Sequence, residues 1–190
     1  GRKEAPERAI SPVPDHAETL VCAVTDKEAT QSSVSLYIKC ASETTTTLAD
    51  YRRDLLTSLA VGMLTDRLDE LRQKPDAPFL SAGASRQGLV LSKDSFSLHA
   101  QVKDNGFLRG LEAIFTEAGR VRRFGFTPSE LERMKNETLA GIEKAYNERN
   151  TTDSGAYVSE CLGHLTHGDV GPGIEADLEL HRRLLPRIAV

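Results

Sequence analysis

The chain has 190 residues, 39% of them apolar, and a formal net charge of −4, which is typical of one globular domain. Its positive and negative side chains are interspersed, so it lacks the basic surface of a nucleic-acid-binding protein. No apolar run approaches the roughly 20 residues that cross a bilayer.

The N-terminal residues 1–17 are charged and include Pro6, Pro12 and Pro14, which favours an extended linker or docking arm. The chain opens without Met and without a signal-peptide core, so we expect a piece of a longer polypeptide, with one subdomain over 18–190. The apolar, β-branched run TLVCAVT at 19–25 predicts a buried strand.

Strict alternation in SVSLYIKC, residues 33–40, predicts a second strand. Val34, Leu36, Ile38 and Cys40 should face one way. The period then changes to that of a helix over about 48–73, with Thr47 and Asp50 as a capping pair. Pro75 should end this helix.

Two more strands are predicted, at 79–91, where the alternation is weak, and at 95–103, where it is strict. In the second of them Phe96, Leu98, Ala100 and Val102 should point inward, with Ser97, His99 and Gln101 on the opposite face. Asp104-Asn105-Gly106 predicts a turn.

The rest of the chain is predicted to be helical, over about 107–123, 128–148, 154–167 and 174–185. The second of these helices has the clearest start, with Thr127 as N-cap, Pro128 at the first position and Glu130 completing a capping box. The expected fold class is α+β, a mixed and largely antiparallel sheet packed on one side by a long helix and a helical C-terminal half.

The candidate metal ligands are Cys161, His164 and His167, which are three residues apart in ECLGHLTHG. Successive members of such a series rotate around a helix, so the three cannot easily converge on one ion. We therefore expect Cys161 to pack between helix and sheet, and the other two cysteines, Cys22 and Cys40, to be buried small hydrophobes. A disulfide between Cys22 and Cys40 stays open.

Other ionisable residues have structural interpretations. His16, His99 and His181 are isolated in the sequence and favour surface positions. The acids Asp66, Asp69 and Glu70 interleave with Arg67 and Arg72, as on a solvated helix face.

Four motifs in order resemble the insulinase/pitrilysin family of zinc metallopeptidases, over roughly residues 12–188. They are YRRDLLTSLAVGMLTDRLDELRQKPDAPFLSA, VRRFGFTPSELERMK, EKAYNERNTTDSGAYVSE and VGPGIEADLELHRRLLP. The resemblance is strongest to bacterial members made of two halves, each half holding two similar α+β subdomains.

This resemblance implies a peptidase whose zinc is held by an H-x-x-E-H motif and a later glutamate in the first subdomain of a half. The present sequence resembles the second subdomain and contains no H-x-x-E-H. It therefore implies no cofactor in this chain, zinc in the catalytic subdomain of the parent, and contacts with that subdomain, the other half and a peptide substrate. A bacterial periplasmic or envelope location is implied as well.

The resemblance also gives a meaning to LRQKPDAPF, residues 71–79. In the half that faces the zinc, a Leu-Arg pair followed seven residues after the Arg by a Tyr binds substrate and stabilises the transition state. Here Arg72 matches, but Phe79 stands in place of the Tyr and has no hydroxyl to donate. We expect a scaffold role for both residues, with substrate contact by Arg72 and Phe79 as the alternative.

Three functions are compatible with these patterns. The chain is a non-catalytic subdomain that helps to form the substrate-enclosing chamber of a zinc metalloendopeptidase, or a scaffold or binding subdomain of an inactive family member. A small-molecule enzyme is the third, and it would need a polar pocket around His99 or His164.

Overall fold

The computed structural model describes residues 13–103, 105–168 and 170–189. Its elements follow in the order β1 (Ser32–Ala41), α1 (Leu48–Arg72), β2 (Ser81–Val90), β3 (Lys93–Val102), α2 (Phe107–Phe124), α3 (Pro128–Asn147), α4 (Ser154–His167), α5 (Ile174–Leu184) and a short 3₁₀ turn (Leu185–Arg187). Among these residues no helix is both long and apolar enough to cross a membrane. The fold is α+β, as the sequence predicted.

The sheet is antiparallel, with the strand order β1-β3-β2. The register runs from Ser32 opposite Val102 to Ala41 opposite Lys93, and β2 pairs with the other side of β3. β3 is the central strand, with a hydrogen-bonded neighbour along each edge. Ser95 and Ser97 are buried on the face away from the helices, where the alternation had placed Ser97 on an outward side. Their small side chains lie between longer neighbours such as Tyr37 and Lys39 of β1.

Helices α1 and α2 cover one face of the sheet, and the core lies between them and the strands. This core includes Leu64, Leu68, Phe79, Leu98, Ala100, Val102 and Ile114. A second cluster lies where α1 meets α3 and the end of α5, around Leu59, Met63, Leu131 and Leu184. Helix α1 therefore contributes to both clusters.

The predicted helix signals form as expected. Thr47 and Asp50 form a capping box at the start of α1, and Thr127 and Glu130 form another at the start of α3. Asp153 caps α4, where its side chain accepts a hydrogen bond from the Gly155 N–H. Helix α2 ends at Gly125, whose φ of 69° is readily adopted by glycine.

The predicted strand at 19–25 is wrong. Residues 13–31 are irregular, and Leu20, Val21 and Val24 are 71%, 89% and 85% exposed. The apolar pattern favours a strand, but no strand of the described chain pairs with the segment. Ile38, expected to face inward, is also about half exposed, at 51%.

Most of the predicted linker, residues 1–12, lies outside the described residues. The remainder contacts the sheet. Lys39 Nζ donates to the Pro14 carbonyl oxygen at 2.7 Å, and Lys93 Nζ lies 2.7 Å from Asp15 Oδ1.

The cysteine expectations are also wrong in part. Cys22, Cys40 and Cys161 are free thiols, so Cys22 and Cys40 do not form the disulfide left open above. Cys22 and Cys161 are exposed, and only Cys40 is partly buried.

Candidate functional site

The two residues singled out by the family resemblance have different environments. Arg72 is exposed in the last turn of α1, and its Nε lies 2.5 Å from Asp69 Oδ1. This guanidinium, with a hydrogen bond from Gln73, holds the pKa of the Asp69 carboxyl below its usual range. Phe79 is 3% exposed and packs in the core cluster with Leu68. The Arg72 side chain is therefore exposed to solvent, whereas Phe79 is buried in the core.

The turn between Arg72 and Phe79 is held against α2 by Arg109. Arg109 Nη2 lies 2.6 Å from Asp76 Oδ2 and donates to the Asp76 carbonyl oxygen at 2.7 Å. The same arginine lowers the pKa of the Asp76 carboxyl. Beyond Phe79 the chain enters β2. At this point the Leu80 N–H donates to the Gln101 carbonyl oxygen at 2.7 Å.

A cleft of about 280 Å³ opens where the end of α1 meets α2 and the start of α3. It is lined by Arg67, Glu70, Leu71, Lys74, Glu117, Arg120, Thr127 and Glu130. The stretch LRQKPDAPF contributes to this cleft through Leu71 and Lys74 rather than through the two residues that the sequence had marked.

Arg67 is the best-anchored cation of the cleft. Its Nε lies 2.5 Å from Glu130 Oε1, and its Nη2 donates to Glu130 Oε2 at 2.9 Å and to the Gly125 carbonyl oxygen at 3.1 Å. The guanidinium also lies 5.0 Å from the ring centroid of Phe126. The prediction of a solvated helix face is therefore wrong for Arg67, because the start of α3 packs against it.

This pairing determines the electrostatics of the cleft. The hydrogen bond from Arg67, reinforced by the Thr127 cap, lowers the pKa of Glu130 to about 2. A general base must accept a proton near neutral pH, so Glu130 is unsuited to that role. Glu117, buried on α2, is likewise paired, with Arg120 Nη1 at 2.5 Å. Of these two pairs, Glu117–Arg120 lies within α2, and Arg67–Glu130 joins α1 to α3.

The acids of α1 form further bridges to α3. Arg133 Nη2 lies 3.1 Å from Asp66 Oδ2, and its Nη1 lies 3.4 Å from Glu70 Oε1. These groups are more exposed than Arg67 and Glu130, as the sequence predicted. Exposed pairs of this kind contribute little individually.

A second polar cluster connects α1 with α5. The Tyr51 hydroxyl donates to Asp177 Oδ1 at 3.0 Å and lies 3.0 Å from His181 Nδ1. Burial, together with the negative charge of Asp177, raises the pKa of Tyr51 above its usual range. The expectation of a surface position for His181 is wrong in part, because its ring packs edge-on against Tyr51 and is only partly exposed. Tyr51 and Asp177 are 126 residues apart in the sequence, so no local sequence pattern indicates their contact.

The metal candidates Cys161 and His164 lie on α4. Cys161 is exposed on α4 and not packed between helix and sheet as predicted. Within the described ranges no group of three or more His, Cys, Asp or Glu residues is placed to hold a metal ion. His99 is exposed on the open face of the sheet, and Gly83 leaves space for its ring, since a Cβ there would lie 2.9 Å from His99 Cε1.

Comparison with known proteins shows what this chain is similar to. No family model matches the chain. It is 27% identical, over 186 residues, to a zinc protease PQQL-like protein of Arabidopsis thaliana. That alignment covers 98% of the chain and 16% of the relative. The chain is thus similar to a minor part of a zinc protease PQQL-like protein.

Solved structures share this fold. The first half of the periplasmic protease PqqL from Escherichia coli superposes with a TM-score of 0.79 at 18% identity. A predicted insulinase family protease from Yersinia pestis gives a TM-score of 0.72 at 17% identity. The matches cover 86% and 85% of this chain but 35% of each of those chains. The chain thus spans a minor part of the length of each of those proteins.

Proposed function

We propose that the chain, over residues 18–190, is a non-catalytic subdomain of a zinc-dependent metalloendopeptidase. The observation that carries the proposal is the match of 98% of the chain to a zinc protease PQQL-like protein, combined with the absence of H-x-x-E-H from the sequence. In this proposal a zinc-bound water in another part of the parent hydrolyses the peptide. Residues 1–17 serve as the linker or docking arm that joins the subdomain to that part.

The subdomain would form part of the wall of a chamber that encloses peptides. Support comes from the face of the sheet opposite α1 and α2, which carries Ser33, Ser35, Tyr37 and His99 as exposed residues. Such polar side chains suit a chamber wall that is in contact with water. The outer edges of β1 and β2 carry backbone groups to which an extended peptide can add as a further strand.

Substrate contact in this subdomain would fall to Arg72, because its side chain is exposed while Phe79 is buried. A guanidinium suits a peptide carboxylate or carbonyl. Phe79 would act on substrate only indirectly, by fixing the path of the chain between α1 and β2. The relationship to PqqL, a periplasmic protease in Escherichia coli, favours a bacterial periplasmic location.

The test is peptide cleavage by the full-length parent and by this chain alone, each with and without a zinc chelator. We expect chelator-sensitive cleavage by the parent and none by the isolated chain. Chelator-sensitive cleavage by the isolated chain would overturn the proposal. An inactive parent lacking H-x-x-E-H throughout would instead establish the scaffold function of an inactive family member.

The role of Arg72 can be measured in the same parent. If it contacts substrate, Arg72→Ala should raise KM several-fold and leave the melting temperature unchanged. Arg133→Ala, which removes another exposed arginine, is the matched control and should leave KM as in the wild type. Equal KM values for both variants and the wild type would remove Arg72 from the site.

A further inference from the structure

Two lysines on the open face of the sheet hold the N-terminal segment, residues 13–31. Lys39 Nζ donates to the Pro14 carbonyl oxygen at 2.7 Å, and Lys93 Nζ donates to Asp15 Oδ1 at the same distance. The lysines come from the neighbouring strands β1 and β3, and they bind two consecutive residues of the segment. The contact therefore fixes one main-chain carbonyl and one carboxylate.

Ser95 is the neighbour of both lysines. It pairs with Lys39 in the β1–β3 register and follows Lys93 by two residues along β3, so the three side chains share one face of the sheet. Ser95 is 0% exposed, and its Oγ has no hydrogen-bond partner in the part of the chain that the structure describes. Buried hydroxyls are normally paired. This hydroxyl therefore has hydrogen-bonding capacity left for a further polar group.

The two sides of the contact differ in how firmly they are held. The Lys93 side chain is only 15% exposed, whereas its partner Asp15 is 76% exposed. Lysine side chains are rarely buried to this extent, and a pair with an exposed carboxylate is weak. The group that receives the carboxylate is therefore part of the folded sheet, while the carboxylate belongs to a segment that can be exchanged.

The site selects for negative charge. The hydrogen bond and the charge of Lys93, with a smaller contribution from the charge of Lys39, hold the pKa of the Asp15 carboxyl below its usual range. Asp94, the acid next to Lys93 in the sequence, lies on the opposite face of the sheet, where its Oδ2 is 3.3 Å from Arg86 Nη2. Asp94 is thus paired elsewhere and leaves both lysines to the ligand.

The connection between this contact and β1 is long enough for the segment to detach. Ser32 begins β1 seven residues before Lys39, so the chain must return roughly 20 Å from Asp15 to the start of the strand. Residues 16–31 are irregular and can span more than twice that distance at about 3.3 Å per extended residue. A tethered segment has a high effective concentration. It therefore occupies the site by default and is displaced by a ligand that competes with it.

We propose that Lys39, Lys93 and Ser95 form a binding site for an acidic residue of an extended peptide. Pro14 and Asp15 occupy this site in cis as an autoinhibitory strap. A peptide that displaces the strap takes the same two contacts, and the unpaired Ser95 hydroxyl offers it a further hydrogen bond. The inference deepens the proposed function and rests on it only for the origin of the peptide, a substrate in the chamber.

Lysine labelling in the isolated chain tests the strap. Acetylation followed by mass spectrometry should modify Lys93 more slowly than Lys74, which is exposed. Asp15→Asn weakens the strap and should raise the Lys93 rate about fivefold relative to Lys74. Glu18→Gln removes the same charge from an exposed position of the same segment and should leave that rate unchanged. Equal Lys93 rates in the wild type and Asp15→Asn would overturn the strap.

Peptide binding tests the site. The probe is a fluorescent peptide with blocked ends and the sequence VPDHAE of residues 13–18, and its control is VPNHAE. By fluorescence anisotropy, the probe should bind the Asp15→Asn chain at least about fivefold more tightly than the wild type, whose tethered strap competes. Adding Lys93→Gln or Lys39→Gln to Asp15→Asn should remove this gain, with an unchanged far-UV circular dichroism spectrum as the check on folding.

Two binding results would overturn the site. One is equal affinity of the Asp15→Asn chain for VPDHAE and VPNHAE, and the other is equal affinity of that chain and the wild type for the probe. Neither measurement depends on peptide cleavage. A parent that cleaves no peptide, together with an isolated chain that binds the acidic probe, would keep the site and reject the peptidase function.

Discussion

Arg67 of α1 forms a two-pronged ion pair with Glu130 of α3, with nitrogen–oxygen distances of 2.5 and 2.9 Å. Both side chains are largely buried, at 17% and 18% exposure. Glu130 also completes the capping box of α3 through the Thr127 N–H. The Glu130 carboxylate thus caps α3 and also fixes the position of α3 against α1.

Arg67→Ala should destabilise the chain by about 2 kcal/mol, because it leaves a buried carboxylate short of its charged donor. It also removes the hydrogen bond to the Gly125 carbonyl oxygen. The measurement is urea unfolding followed by far-UV circular dichroism. Arg72→Ala is the matched control on the same helix, and its exposed pair with Asp69 should leave the unfolding midpoint nearly unchanged. Equal midpoints for both variants would contradict the assigned role of Arg67.

The same pair predicts acid sensitivity. The pKa of Glu130 is lowered to about 2 from an ordinary value of 4.5. Its contribution to stability is therefore fully present above about pH 4.5 and is lost as the pH falls towards 2. Unfolding free energies measured from pH 6 to pH 2 should fall more steeply for the wild type than for Glu130→Gln. Parallel curves would show that the native pKa is not depressed.

Phe79→Tyr should restore the aromatic hydroxyl of the family pattern without restoring a function. Phe79 is 3% exposed, so a hydroxyl placed there without a partner should cost about 1–3 kcal/mol. The isolated chain should show no peptide cleavage with either residue. Phe124→Tyr, at a position 76% exposed, should leave the stability unchanged. Unaltered stability of Phe79→Tyr would contradict the packed environment.

Two glycines of α2 should respond to alanine in opposite directions. A Cβ at Gly110 would lie 2.5 Å from Val102 Cγ1, whereas one at Gly119 would have no neighbour within 4 Å. Gly110→Ala should therefore cost about 1–3 kcal/mol through overpacking. Gly119→Ala should stabilise the chain by about 0.5–1 kcal/mol, because alanine is the better helix former. Thermal unfolding of both variants measures the contrast, and a shift in the same direction for both would refute it.

Tyr51→Phe should weaken the attachment of α5 to α1. The change removes the hydrogen bond to Asp177 and the contact with His181, at a cost of about 1 kcal/mol. In the wild type, the raised pKa of Tyr51 should keep its phenol protonated while exposed tyrosines ionise near pH 10. An ultraviolet titration should therefore show the same absorbance change near pH 10 in wild type and Tyr51→Phe. A smaller change in the variant would mean that Tyr51 titrates normally.

Local signals in the sequence predicted most of the elements. The Thr47–Asp50 and Thr127–Glu130 capping boxes and Gly125 determine helix ends through contacts within a few residues. Contacts between distant segments carried no such signal. Arg67 and Glu130 are 63 residues apart, and nothing near either residue distinguishes a buried pair from the solvated charges around it.

The sequence by itself determined the α+β class, the helix and strand periods and the resemblance to insulinase-like peptidases, because periodicity, caps and motifs are local properties of a chain. Only the tertiary structure decided that Phe79 is buried while Arg72 faces solvent, and that Arg67 joins two helices. It also decided that residues 19–25 and the apolar side of α4 are exposed. An apolar pattern indicates that a surface favours burial, and the arrangement of the other elements determines whether anything covers it.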